Sequence, residues 1–386
     1  MFADILILDY FVLVRVIIST CEIKFNSRDK TMKHQLKIRE MLETREETLS
    51  PYAQKSRLSR GREREEAPDS VRTAFQRDRD RILHSKSFRR LKHKTQVFIA
   101  PLGDHYRTRL THTLEVSQIA RTVARALNLN EDLTEAIGVG HDLGHTPFGH
   151  EGENVLNELS PVGFKHNEQS LRVVDLLEKD GRGLNLTWEV RDGIVNHSKS
   201  RAQVLGSEWG KVSTLEGEIV KLADLVAYVN HDSDDAIRAG IIKESDLPAA
   251  AVKVLGNSPS ARIDTMVCDI IDSSWACSGL VIPKNNNRPE IKMSPRVLKA
   301  TGILRDFLFE RVYSVQSALP ETERARQVLR RLYAYFLKHP RELPPEYLLH
   351  SDTEWRGVID YIANMTDQYA LKTAEELSLL NLKSKP

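Results

Sequence analysis

The chain has 386 residues, 40% of them hydrophobic and 28% charged, which is long enough to bury a substantial core and an enclosed site. Its 56 basic and 54 acidic residues leave a net charge of +2, so no global field points to DNA, RNA or a membrane surface, and any anion binding has to be local. Cys21, Cys268 and Cys277 form neither a CxxC pair nor an even framework, which fits a reducing cytoplasm and excludes a thiolate zinc site.

At the N-terminus, "FADILILDYFVLVRVIIST" is strongly apolar, but Asp4, Asp9 and Arg15 interrupt it short of the ~20 apolar residues that a membrane span requires. A secretory signal would need a basic n-region and a small-residue cleavage site, and neither is clean here. Residues 1–31 therefore read as an extension outside the fold, with Met32 as an alternative start and no membrane partner expected. Residues 32–69 read as an amphipathic helix, "MKHQLKIREMLETRE", followed by a charged linker. In that linker "KSRLSRGREREE", Lys55 to Glu66, has dense mixed charge without an apolar period, the pattern of a solvated arm. Arg60, Arg62 and Arg64 could meet phosphate, but Glu63, Glu65 and Glu66 interleave with them, so nucleic acid is weakly supported as a partner.

From Ser70 to the C-terminus helical periodicity dominates, and residues 70–386 read as one mainly α domain with irregular loops and a C-terminal helical region. Val116, Ala120, Val123 and Leu127 mark an apolar stripe on a helix that starts near His112. Asn130 is placed to cap the next helix, with "EDL" supplying acid in its first turn. A third helix repeats Ile219, Leu222, Val226 and Val229; a fourth, "EWRGVIDYIANMTDQYALKTAEEL", spaces Trp355, Ile359, Ile362 and Tyr369 alike. Only "GLVIPKNNNRPEIKMS" offers a short β-hairpin, or else an exposed loop.

The second helix runs into "HDLGHTPFGH", residues 141–150, which holds three of the 13 histidines. Together with His112 upstream and Asp224 in "KLADLVAY", the His141-Asp142 pair supplies two imidazoles and two carboxylates. That set suits a divalent ion, among Mn, Mg, Fe, Co, Ni and Zn, with positions left for water and substrate. Neighbours on a regular helix diverge by about 100°, so His141 and Asp142 converge only where the helix unwinds between Gly140 and Gly144. Asp224 lies among apolar neighbours and is expected to be buried, where a metal would partner it. His145 and His150 follow on the turn, and Glu153 is placed to orient or relay a proton to a histidine. No GxxxxGK[ST] occurs. Arg109, one helical turn before His112, brings a fork suited to phosphate oxygens, whereas Lys221 reads as solvated. Tyr228 and Asp232 follow Asp224 at i+4 and i+8 on one stripe.

H…HD…D resembles the signature of the HD-domain metal-dependent phosphohydrolases. "GDHYRTRLTHTLEV", "HDLGHTPFGHEGE", "HNEQS" and "DYIANMTDQYA" are similar to strings of the bacterial dGTP triphosphohydrolase-like branch, from about Ser70 to near the C-terminus. The resemblance implies a helical HD fold that hydrolyses a deoxynucleoside triphosphate to deoxynucleoside and inorganic triphosphate in the cytoplasm. It implies His112, His141, Asp142 and Asp224 as metal ligands, and His145, His150, Glu153 and His166 as catalytic groups. Arg109 would contact the triphosphate, Tyr228 and Asp232 the deoxyribose and its 3′-hydroxyl, and Gln96 and Val97 the sugar edge. A dNTP substrate, an activating dNTP and a homo-oligomer belong to the same expectation. Other HD phosphohydrolases, and a dNTP-responsive nucleic-acid-binding protein with little turnover, are the alternatives.

Overall fold

Thr108 and Asn130 start the two helices on which the site is built. Thr108 accepts the Thr111 N–H in a reciprocal capping box and opens α3 (Arg109–Ala126), preceded in the chain by α1 (Ile38–Arg45) and α2 (Ala74–Leu83). Asn130 accepts the Leu133 N–H and opens α4 (Glu131–Gly140), with Glu131 and Asp132 set against the helix dipole as the sequence suggests. A computed structural model describes residues 37–98, 107–198, 211–281 and 288–379. The chain divides into Met1–Lys37 and Ile38–Pro386; the expected extension 1–31 lies outside the described residues, and the helices and the site belong to the second unit.

Among the helices after α4, α5 (Gly149–Leu159), α6 (His166–Arg172), α7 (Trp188–Asn196) and α8 (Leu215–Arg238) carry or end at site residues, and α9 (Pro259–Ser273) and α10 (Pro295–Leu308) pack on α8. α3 packs against both α4 and α8, and α2 lies on α4. Val116, Ala120, Val123, Leu127, Ile219, Leu222, Val226 and Val229 are all buried, so both predicted apolar stripes form the main core. A second core joins α5 to α11 (Pro320–Lys338), α12 (Glu354–Ala363) and α13 (Asp367–Glu376) through Phe148, Leu156, Leu329, Ile359 and Ala370. No described helix is long and apolar enough to cross a membrane.

Three sequence expectations need correction. The stretch read as one C-terminal helix is two, because Thr366 accepts the Tyr369 N–H and restarts the helix; Tyr369 is consequently exposed. The described residues of the expected hairpin, 279–281 and 288–294, form no strand; Pro283 and Pro289 remove two ladder donors from this stretch. The Lys55–Glu66 arm is a packed strap. Ser59 donates to Glu189 at 2.7 Å, Arg60 stacks 3.6 Å over Trp188, and Arg62 engages Asp78 and Glu66. The Ser59 and Arg60 partners lie over a hundred residues away, which a local charge pattern cannot reveal.

Glu216, fully buried at the start of α8, accepts the backbone N–H groups of Gln54 and Asn130, each at 3.0 Å, and so links the segment just before the strap to the start of α4. Burial pushes its carboxyl up to about 7 against those hydrogen bonds. Because the folded group holds its proton between the ordinary carboxylate value and about 7 while the unfolded one does not, stability falls as pH rises through that window. The loss is on the order of 3 kcal/mol. Unfolding midpoints for wild type and Glu216→Gln at pH 5 and pH 8 should diverge by that order. Parallel behaviour at the two pH values would show that Glu216 titrates normally in the fold.

Candidate metal centre and active site

α4 ends at Gly140, and His141 occupies its C-terminal cap. Gly144 is required three residues on, since a β-carbon there would collide with the backbone of Gln169 and Ser170. Its N–H donates to Ser170 Oγ at 2.9 Å, and that hydroxyl donates to the His141 carbonyl at 2.7 Å. The unwound end of α4 is thereby fastened to α6, and Asp142 turns back toward His141, with Oδ1 3.6 Å from its Nε2.

His112 on α3 meets Asp224 on α8, Nε2 to Oδ1, at 3.2 Å. His141 joins them, so that one ligand atom from each of His112, His141 and Asp224 lies within 4.8 Å of the others; Asp142 groups likewise with His141 and His197. His141 Nδ1 donates to the Gly138 carbonyl at 2.7 Å, which fixes the tautomer and leaves Nε2 as a buried lone pair without a partner. Such an orphan is costly unless a cation meets it. Both carboxylates are held ready. Burial works to raise Asp142, but His141 beside it and the Arg109 guanidinium override it and hold the carboxyl well below its ordinary value. Burial likewise works to raise Asp224, but the hydrogen bond and charge of His112 outweigh it, and that carboxyl too is lowered. The donor set therefore fits a divalent ion. Asp224 departs from expectation in one respect. Its side chain is 27% exposed, because the α8 face that carries it borders the site and only its sequence neighbours enter the core.

Beside this cluster stand four more histidines. His145 stacks on His166 with ring centroids 4.7 Å apart and lies 5.3 Å from His150; both its ring nitrogens are buried and unpartnered. Burial, then the charges of Arg109 and His166, push His145 well below its ordinary value, so it is neutral. Glu153 on α5 sits 2.8 Å from His166 Nδ1 and 3.4 Å from His150 Nδ1. His166 is raised by the Glu153 charge and hydrogen bond, which outweigh burial, and Glu153 is lowered in turn by its histidines against burial. His197 completes the group, and nothing in the sequence singled it out. Its Nδ1 donates to the Ile194 carbonyl at 2.6 Å, and its Nε2 lies 3.3 Å from His166 Nε2. Two lone pairs cannot face each other at that distance. A protonated His166, donating to Glu153 on one side and His197 on the other, satisfies both. Burial, with His141 and His166 nearby, pushes His197 down to about 3, in keeping with the acceptor role.

Arg109 is buried and directed at Asp142: Nη1 donates to its carboxylate at 2.9 Å, while Nε and Nη2 donate to the carbonyls of Thr95 and Gln96, each at 3.2 Å. Gln96 has a buried Oε1 without a partner, and Val97 is part-buried against the main core. Farther along the α8 stripe, Asp232 accepts from Tyr313 at 2.5 Å, and Tyr313 stacks with Tyr228 at 5.7 Å. Burial pushes Asp232 up to about 7, more than the Tyr313 bond lowers it. Tyr313 carried no sequence signal, because a tyrosine in an amphipathic segment reads as core. Lys221 is buried with Glu218 at 3.4 Å instead of solvated.

Helices α3, α4 and α8 around a His-Asp cluster are the features of an HD-type phosphohydrolase. Residues 109–228 match the HD domain and residues 291–376 the phosphohydrolase-associated domain. The chain is 55% identical over 347 residues to a deoxyguanosinetriphosphate triphosphohydrolase-like protein of Caldanaerobacter subterraneus subsp. tengcongensis, covering 89% of this chain and 96% of that one. A protein of the same name from Desulfatibacillum aliphaticivorans is 49% identical over 353 residues, 88% of this chain and 97% of the relative. A solved structure of a hypothetical protein from Aquifex aeolicus aligns with TM-score 0.39 and 18% identity, over 78% of this chain and 68% of that one. The chain belongs to the deoxyguanosinetriphosphate triphosphohydrolase-like family.

Proposed function

We propose that the protein hydrolyses deoxynucleoside triphosphates to deoxynucleoside and inorganic triphosphate. The observation that carries this reading is the placement of the His145, His150, Glu153 and His166 group directly beside the His112, His141, Asp142 and Asp224 cluster, with Asp232 and Tyr228 farther along α8. A divalent ion held by that cluster would lower the pKa of a bound water and polarise a phosphoryl oxygen. Protonated His166 and Arg109 offset phosphate charge, and neutral His145 stands at the phosphate as a hydrogen-bonding group. His150, the half-exposed member with Glu153 behind it, delivers a proton toward the departing nucleoside oxygen. Asp232 accepts the sugar 3′-hydroxyl while Tyr228 packs on the ring; Gln96, through its open Oε1, and Val97 border the sugar edge.

The test is product analysis. Purified protein incubated with each dNTP and Mn or Mg should release triphosphate and nucleoside in equal amounts. Release of diphosphate or monophosphate would overturn the reading in favour of another HD phosphohydrolase chemistry.

A further inference from the structure

The string "DYIANMTDQYA" lies far in sequence from the candidate metal cluster, yet the fold brings its second aspartate, Asp367, against the turn that carries His145 and leads into His150 at the start of α5. Asp367 Oδ1 accepts the Phe148 N–H at 3.0 Å, and Oδ2 accepts the Thr95 N–H at 3.0 Å as well as the Thr95 hydroxyl. Phe148 is in the left-handed conformation, φ 61°, followed by Gly149 at φ 60°. A non-glycine residue there is strained and persists only where the surroundings hold it. The Phe148 ring is buried in the second core, with residues of α11, α12 and α13. The C-terminal region thus grips Phe148 at its amide and at its ring.

Lys94 makes the matching contact from the other side. Its ammonium group is buried and donates to the His145 carbonyl and, at 2.9 Å, to the Ala363 carbonyl at the end of α12. Both of these partners are backbone carbonyls, and burial, with Arg90 nearby, pushes the ammonium down to about 7. An apolar side chain of that length would occupy the same space at lower desolvation cost, so the group is best explained by what it holds in place. Residues 95 and 96 also carry the carbonyls that orient Arg109, and Arg109 in turn holds Asp142. A continuous path therefore runs from Asp367 through Thr95 and Arg109 to a metal-ligand carboxylate.

We propose that Lys94 and Asp367 are positioning residues that clamp the phosphohydrolase-associated region onto the 145–150 loop, holding His145, His150 and Arg109 in register with the metal ligands. As far as it concerns turnover, the proposal rests on the proposed dNTP hydrolysis. The contacts themselves predict a second effect that does not.

The experiment uses the full chain with Asp367→Ala, Asp367→Asn and Lys94→Met, measuring bound metal, kcat, KM and amide hydrogen exchange over residues 145–150. Expected are wild-type metal content, kcat lowered about 10- to 100-fold, KM within about threefold, and faster exchange at Phe148 and Gly149. A role confined to stability would lower the melting temperature while leaving kcat per metal-loaded molecule unchanged, and that result would overturn the proposal. Should Asp367→Ala fail to fold, the two milder variants decide. If the wild type hydrolyses no dNTP, the functional reading fails by itself; the clamp then stands on faster loop exchange in the variants and falls if exchange is unchanged.

Discussion

Replacing Asp224 with alanine is expected to remove metal and turnover together. Asp224 supplies the carboxylate that meets His112 at 3.2 Å, and its low pKa keeps it ionised and ready to ligate at neutral pH. Without it, three ligand side chains remain, and His112 Nε2 loses its partner in a buried setting. Loss of a ligand costs more than loss of an outer hydrogen bond to one, so metal affinity should fall by more than about 100-fold. Turnover should fall to background with it. His141→Ala should behave the same way, since its Nε2 has no partner in the protein and its Nδ1 is already committed to Gly138. Metal analysis of gel-filtered protein, paired with product release under saturating dNTP, checks both variants. An Asp224→Ala protein with full metal content and wild-type turnover would show that the catalytic ion sits elsewhere.

The candidate ligands were legible in the sequence as a group because the chemistry confines them to few residue types, and because His141 and Asp142 are adjacent at a glycine-flanked helix end. The helices were legible for a related reason: the stripes of α3 and α8 follow from periodicity, and Asn130 from the local hydrogen bond it makes. What the sequence concealed depends on contacts between distant segments. His197 sits 56 positions beyond His141, just past the end of an ordinary amphipathic helix, and only the packing of α7 against α4 and α6 brings its ring within 4.9 Å of His141. Lys94 in "HKTQVF" looks like one more surface lysine until the carbonyls of His145 and Ala363 surround it. The strap from Lys55 to Glu66 failed as a prediction for the same reason, since whether a charged segment is solvated depends on what lies opposite. Asp224 erred the other way: flanking hydrophobic residues suggested burial, but the α8 face that carries it borders the site and leaves the carboxylate partly open.

The second large effect concerns His150 and Glu153, which the proposed chemistry separates from metal binding. His150→Ala or Glu153→Gln should retain the ion and bind dNTP while lowering kcat by about 10²–10⁴-fold, the range typical of a positioned proton-transfer group. The geometry gives each substitution its own reason. His150 is the half-exposed histidine of the group, so it can reach a departing group at the mouth of the site. Glu153 contacts His150 and His166 at once, and neither belongs to the His112, His141, Asp142 and Asp224 cluster. Its neutral isostere keeps the shape while removing the charge that favours protonated His166, and so should weaken both the proton donor and the cation facing phosphate. The competing account is that "HTPFGHEGE" only shapes the turn, with Pro147 and Gly149 setting the backbone; substitution would then change kcat by less than about threefold. Metal content, dNTP affinity and single-turnover rate measured on the same preparations separate the two. Wild-type single-turnover rates in both variants would leave His150 and Glu153 with a structural role alone.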